Sequence, residues 1–126
     1  MRTLTLLSAL VLLGSCYYDS FPAMYPTLVS DASSCTTPSP VSFQTDVLPL
    51  FQRSCNTATC HNGNDRAGEI VLDNYTESLT SAQNGSLLGS IRHDAGYVPM
   101  PEAAPALDIC DIVLIEAWIQ AGTPEN

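Results

Sequence analysis

Cys55-Asn56-Thr57-Ala58-Thr59-Cys60-His61 places two thiols and an imidazole in one short stretch. That set suits one chemistry well: two thioether bonds to a haem and a nitrogen ligand on its iron. The usual signal for c-type haem attachment is Cys-x-x-Cys-His. Here four residues, Asn56 to Thr59, stand between the cysteines instead of two. In one unbroken helix Cys55 and Cys60 would point about 140° apart. Both can reach one porphyrin only if Asn56 to Thr59 bulge out.

A second iron ligand is present downstream. Met100 lies between Pro99 and Pro101 in the loop Asp94-Ala95-Gly96-Tyr97-Val98-Pro99-Met100-Pro101. Pro99 fixes its own φ, and Pro101 pushes Met100 toward extended backbone, so the thioether is held stiffly. A haem iron held by one imidazole and one thioether is a six-coordinate, low-spin electron carrier, and methionine raises its potential. His93 is an alternative distal ligand. It ends a short helix, where a surface imidazole favoured by the helix dipole is the plainer reading. Met100 read as a packing methionine, and Cys55 with Cys60 read as a local disulfide, also stay open. Zinc needs four ligands, usually from two separated pairs. Only one cysteine pair stands here, with His93 the only other histidine. Arg53 or Arg92 is a candidate partner for a haem propionate, because a carboxylate favours a guanidinium. No nucleophile–base set, phosphate loop or paired-carboxylate motif is visible. The expectation is therefore an electron carrier and not an enzyme, with a peroxidase-like or sensor role as the open alternative.

Helices must position these groups. Ser42 can cap a helix running toward Ser54. Phe43, Val47, Leu50 and Phe51 then share one apolar face. Pro49 lies inside that stretch and should kink the helix or move its true start later. The helix leads straight into Cys55. Asn62-Gly63-Asn64-Asp65 is a turn signal. Ile70-Val71-Leu72 is too short to tell strand from extended loop. Short helices are expected over Tyr75 to Thr80 and over Ser86 to His93. The last helix is the clearest. Asp108 is a good N-cap, Asp111 suits the positive helix start, and Leu107 with Ile112 forms a hydrophobic staple. Ile109, Ile112, Ile115 and Ile119 share a face that Val113 and Trp118 broaden. Gly122 and Pro124 stop it. The fold class is all-α.

The start of the chain reads as an export signal. Met1-Arg2 precedes an apolar run from Leu4 to Leu13. That run is too short for a membrane span of about 20 residues. It ends Leu13-Gly14-Ser15-Cys16, which resembles the lipobox of bacterial lipoproteins. Residues 1–15 are then a signal peptide and Cys16 the lipidated residue, with several acyl chains giving firm attachment to a membrane surface. An ordinary signal peptide that happens to end near a cysteine is the alternative. Tyr17 follows Cys16 where an aspartate would favour inner-membrane retention in some bacteria, which points toward the outer membrane. Residues 16–40, with Pro22, Pro26, Pro38 and Pro40, read as a linker. Of the five cysteines, Cys35 and Cys110 remain. In an exported, oxidising compartment a disulfide between them is the simplest assignment, against two free buried thiols.

Charge narrows the partners. The formal net charge is -9, and after Cys16 the only basic side chains are Arg53, Arg66 and Arg92. Nucleic acid and anionic lipid both need cationic neutralisation and are poor partners. A redox protein partner with a basic docking face suits this balance. Solubility through surface charge explains it equally simply.

Across residues 41–123 the run Phe43…Asp46-Val47…Pro49…Phe51…Cys55…Cys60-His61, then Met100-Pro101, then Ile115…Trp118-Ile119…Gly122, resembles the small class I cytochrome c domains of exported bacterial proteins. Cys16-Tyr17-Tyr18-Asp19 and Cys35 resemble a lipoprotein subset of them. The resemblance implies that the first and last helices cross around a covalent haem c. It implies that Cys55 and Cys60 bond the haem vinyls, that His61 is the proximal ligand and that Met100 is the distal one. The implied function is one-electron transfer by a lipid-anchored protein facing the periplasm or the cell surface. Two other readings stay open. One is a haem sensor or enzyme with an open sixth iron position, and the other a haem-free lipoprotein interaction module stapled by disulfides.

Overall fold

The computed structural model describes residues 32–126. The expected signal segment 1–15, Cys16, Tyr17 and the expected linker up to residue 31 lie outside the described residues. Among the described residues the chain is helical, with no strand. None of their helices is long and apolar enough to cross a membrane.

The first helix starts as the sequence suggests and then departs from it. The Ser42 Oγ accepts the Thr45 N–H at 3.3 Å, and the Ser42 N–H donates to Asp46 Oδ2 at 2.7 Å. The turn Phe43–Val47 is wound wide, with the Val47 N–H reaching Ser42 O at 3.2 Å and the Leu48 N–H reaching Phe43 O. The regular helix α1, Leu48–Ser54, begins only after it. Pro49 therefore sits in the first turn of α1, where its missing N–H costs nothing. The side chains of Phe43, Val47, Leu50 and Phe51 are all fully buried.

Helix α2, Tyr75–Gln83, is capped by Asn74, whose Oδ1 accepts the Glu77 N–H at 3.0 Å. It runs one turn further than expected. Helix α3, Ser86–Ile91, follows after Gly85 at φ 81 and ends two residues short of His93. Ile70 to Leu72 is extended backbone, and Val71 and Leu72 are buried without a strand partner.

Helix α4, Ile109–Gln120, has its N-terminus capped by Asp108, whose Oδ1 accepts the Cys110 N–H at 2.9 Å. Its buried stripe is Ile112, Ile115 and Trp118, while Ile109 and Ile119 are only half-buried. The expected isoleucine face is thus rotated toward Trp118, because α4 packs on the Phe43–Val47 turn and on α3. There Phe43 meets the rings of Trp118 at 5.4 Å, Tyr75 at 5.3 Å and Phe51 at 6.3 Å between centroids. Gly122 at φ 87 ends α4 in a Schellman turn. In it the Thr123 N–H donates to Trp118 O and the Gly122 N–H to Ile119 O. Trp118 Nε1–H then donates to Pro124 O at 2.9 Å, and the Tyr75 hydroxyl to Thr123 O at 2.8 Å.

Cys35 and Cys110 are joined in a disulfide, with Cα atoms 5.3 Å apart across a sequence separation of 75. The end of the linker is thereby stapled to the first turn of α4. In the chain-entropy account a loop of that length adds about 4 kcal/mol of stability. The Cys35→Ser, Cys110→Ser double variant should lose that amount in urea unfolding under non-reducing conditions. A loss below about 1 kcal/mol would show that the crosslink constrains little of the unfolded chain.

Candidate functional site

The spacer between the cysteines is a loop, not a turn of helix. Helix α1 stops at Ser54, and Cys55 has already left helical geometry at φ -121. The Asn56 N–H still reaches back to Phe51 O at 2.9 Å, closing the helix end. The chain then swings out through Thr59 in the left-handed region at φ 68. It returns so that the His61 N–H donates to Cys55 O at 3.0 Å. The bulge that a shared porphyrin requires is therefore present in the backbone.

Polar side chains stitch this loop. Asp65 Oδ2 accepts the Thr59 N–H at 3.0 Å and Asn62 Nδ2–H at 2.7 Å. The Asn62 amide, then the Thr59 N–H, hold the Asp65 carboxyl below the ordinary value of 3.8. Asn62 Nδ2–H also reaches Thr57 O at 3.2 Å, and Asn62 Oδ1 accepts the N–H groups of Asn64 and Asp65. Asn62-Gly63-Asn64-Asp65 is thus the turn its composition suggests, and it braces the motif. Further on, the Leu72 N–H donates to His61 O at 2.8 Å, and Asn56 Nδ2–H donates to Leu72 O at 3.0 Å. The extended stretch at Ile70 to Leu72 is what the motif leans on.

His61 is half-buried, with Nδ1 3.1 Å from Ala67 O. A carbonyl oxygen can only accept, so Nδ1 carries a proton, and in the neutral ring Nε2 is then the nitrogen with the lone pair. This is the arrangement in which an imidazole ligates a metal, with the other nitrogen fixing the tautomer and ring orientation.

Cys55 and Cys60 are free, half-buried thiols. Burial, chiefly, pushes the Cys55 thiol up from 9.0 to about 11, with Cys60 and Asp111 adding to the rise and Arg53 opposing it. A pH effect follows for the chain with unmodified cysteines. Below pH 9 the thiol is protonated folded or unfolded, and it favours neither state. Between pH 9 and about 11 the unfolded thiol ionises first, and folding stability falls by on the order of 2 kcal/mol. That decline should be smaller in Cys55→Ala when urea unfolding is followed across the same pH window. Identical pH profiles for the two proteins would mean that Cys55 is not desolvated by the fold.

Met100 is set opposite by its backbone. The Met100 N–H donates to Ser90 O at 3.0 Å, and His93 Nε2 lies 3.1 Å from Met100 O. Between them the loop carries Tyr97, whose ring lies over Gly89. A Cβ on Gly89 would stand 2.4 Å from that ring. Gly89→Ala must therefore displace Tyr97 from the cleft wall. A blue shift of tyrosine absorbance toward its solvent-exposed spectrum and a lowered melting temperature are expected. An unchanged melting temperature would show that Tyr97 has room to move.

These segments enclose a cleft of about 530 Å³, with Cys55, His61 and Met100 on its walls beside Ile70, Leu72 and Leu87. A smaller recess of about 90 Å³ shares Cys55, His61 and Met100 and adds Cys60. The larger volume lies in the range of about 300–1,000 Å³ usual for small-molecule and cofactor sites. The structure thus brings together all four residues singled out by type and spacing. His93 does not line the cleft, and its Nε2 is engaged at the Met100 carbonyl. Arg53 pairs with Asp111, Arg92 with Glu116 at 2.8 Å and Arg66 with Glu77 at 3.2 Å. Neither Arg53 nor Arg92 lines the cleft. Sequence reasoning missed the Ala67 carbonyl, the Asn56 brace and the stacking of Tyr97 on Gly89. Only the glycine inside α3 carried a signal for any of these.

Comparison with protein-family models, with curated proteins and with solved structures finds no match to this chain.

Proposed function

We propose that the cleft holds a covalent c-type haem and that the protein is a one-electron carrier. In this reading Cys55 and Cys60 form the two thioether bonds, His61 is the proximal ligand and Met100 the distal one. The observation that carries it is the convergence of Cys55, His61 and Met100 on one apolar cleft, with Cys60 in the adjoining recess that shares all three and with Nε2 of the neutral His61 ring free to ligate. The packing of α4 on the Phe43–Val47 turn supports a cytochrome c-like arrangement of the first and last helices.

Bound there, the group supplies an iron centre that cycles by one electron between two stable oxidation states. The chain's own residues do the rest. The Ala67 carbonyl fixes the His61 tautomer and orients the ring. The hydrogen bond from the Met100 N–H to Ser90 O holds the thioether-bearing segment against α3. Ile70, Leu72, Leu87 and Ile91 keep water from the interior of the cleft. Tyr97 and Val98, 43% and 64% exposed, stand at its rim, where electrons would enter and leave.

The Cys35–Cys110 disulfide supports an exported location, since such bonds persist in oxidising compartments. With Cys16 lipidated, the domain would be anchored to a membrane surface on a linker. The acidic balance suits a redox partner with a basic face.

The test is expression with a c-type maturation system, followed by a pyridine haemochrome assay and haem staining after denaturing electrophoresis. One covalent haem per chain is expected. A colourless protein rejects the reading and leaves a haem-free interaction module. Ready binding of carbon monoxide by the reduced protein would instead indicate an open sixth position, the behaviour of a sensor or enzyme.

A further inference from the structure

We propose that His93 is a positioning residue that holds Met100 in place by gripping its backbone carbonyl. The inference rests on the reading of Met100 as an iron ligand and goes beyond it, because it assigns the hold to a side chain outside the cleft.

The end of α3 supplies the argument. The Asp94 N–H donates to Gly89 O at 2.9 Å, and the His93 N–H to Ser90 O at 3.2 Å. Those are the two bonds of a Schellman turn, which places His93 at the residue just past the helix cap. Glycine is the preferred residue there, because the position needs left-handed backbone. His93 occupies it at φ 59. A non-glycine residue in that region is strained, and such strain concentrates at functional sites.

What the imidazole gains for the strain is visible. Its Nε2 lies 3.1 Å from Met100 O, and since the carbonyl only accepts, Nε2–H is the donor. The same residue's N–H is tied to Ser90 O. Met100 is therefore clamped on both backbone groups by α3 and its ending. The Ser90 bond follows from backbone alone, whereas the His93 bond needs a ring of that reach. The side chain of Met100 is left free to point into the cleft that its residue lines.

The two roles of His93 separate in one variant. As a helix ending it is replaced equally well by glycine, and as a clamp it is not. In the haem-loaded full chain, His93→Gly should bind cyanide at the ferric iron roughly five- to tenfold more tightly than the unmodified protein, the effect of losing one hydrogen bond. His93→Gln, which can again donate to the carbonyl, should move that affinity back toward the original. Equal affinities in all three proteins overturn the proposal. If the chain carries no covalent haem, the reading of the cleft fails separately, and Met100 amide exchange by NMR in the full chain decides the clamp. Faster exchange in His93→Gly, with recovery in His93→Gln, upholds it, and equal rates overturn it.

Discussion

Replacing Cys55 and Cys60 together with alanine should abolish covalent haem staining while leaving the polypeptide folded. Both thiols are half-buried, Cys55 at the cleft and Cys60 in the recess beside it, and neither belongs to the fully buried set around Trp118, Phe43 and Leu50. Their bonds to the rest of the chain are weak. Apart from the backbone, Cys60 receives one hydroxyl contact, from Thr57 Oγ1 at 3.3 Å. The loop's form depends on Asp65, Asn62 and the His61 N–H, which the double variant retains. Helical circular dichroism should be preserved, and stability should change by no more than about 1 kcal/mol. Each single variant should retain haem through one thioether, with a shifted haemochrome maximum. Staining that persists in the double variant would place the attachment elsewhere and remove the basis of the proposed function.

Among single substitutions in the core, Trp118→Ala should give the largest loss of stability, about 3–5 kcal/mol in urea unfolding. Trp118 is fully buried, lies 5.4 Å from the Phe43 ring and donates its indole N–H to Pro124 O. Truncation removes the ring that α4 lays on the Phe43–Val47 turn, and it also releases the carboxyl-terminal segment. Native domains are stable by only about 5–15 kcal/mol, so the loss is a large part of the total. Half-buried Ile119, on the face the isoleucine pattern favoured, should cost distinctly less when changed to alanine. Equal losses at the two positions would put the centre of the helix contact in the wrong place.

These two results read different layers of the protein. The cysteine variant tests chemistry on a retained scaffold, and the tryptophan variant tests the scaffold. If the cleft depends on the helix contact, the haem-loaded Trp118→Ala protein should also bind carbon monoxide more readily than the unmodified one, because Ile91 of α3 both lines the cleft and belongs to the buried cluster that contains Trp118.

The sequence by itself determined what is local. Ser42, Asn74 and Asp108 cap helices because a short side-chain oxygen reaches an N–H two or three residues on, and that reach needs no tertiary partner. Gly122 ends α4 for the same kind of reason. The residue types at Cys55, Cys60, His61 and Met100 singled out the four residues that the structure brings together, and elimination among the cysteines picked out the Cys35–Cys110 pair. Other features only the tertiary structure decided: the course of Asn56 to Thr59, the nitrogen left free on His61, the rotation of α4 toward Trp118 and the grip of His93 on Met100. The physical reason is common to them. A backbone carbonyl such as that of Ala67 or Met100 is the same in every residue, so the sequence carries no mark of which donor will find it. Where apolar residues cover more than one face of a helix, as in α4, the face that is buried is chosen by the neighbour it meets.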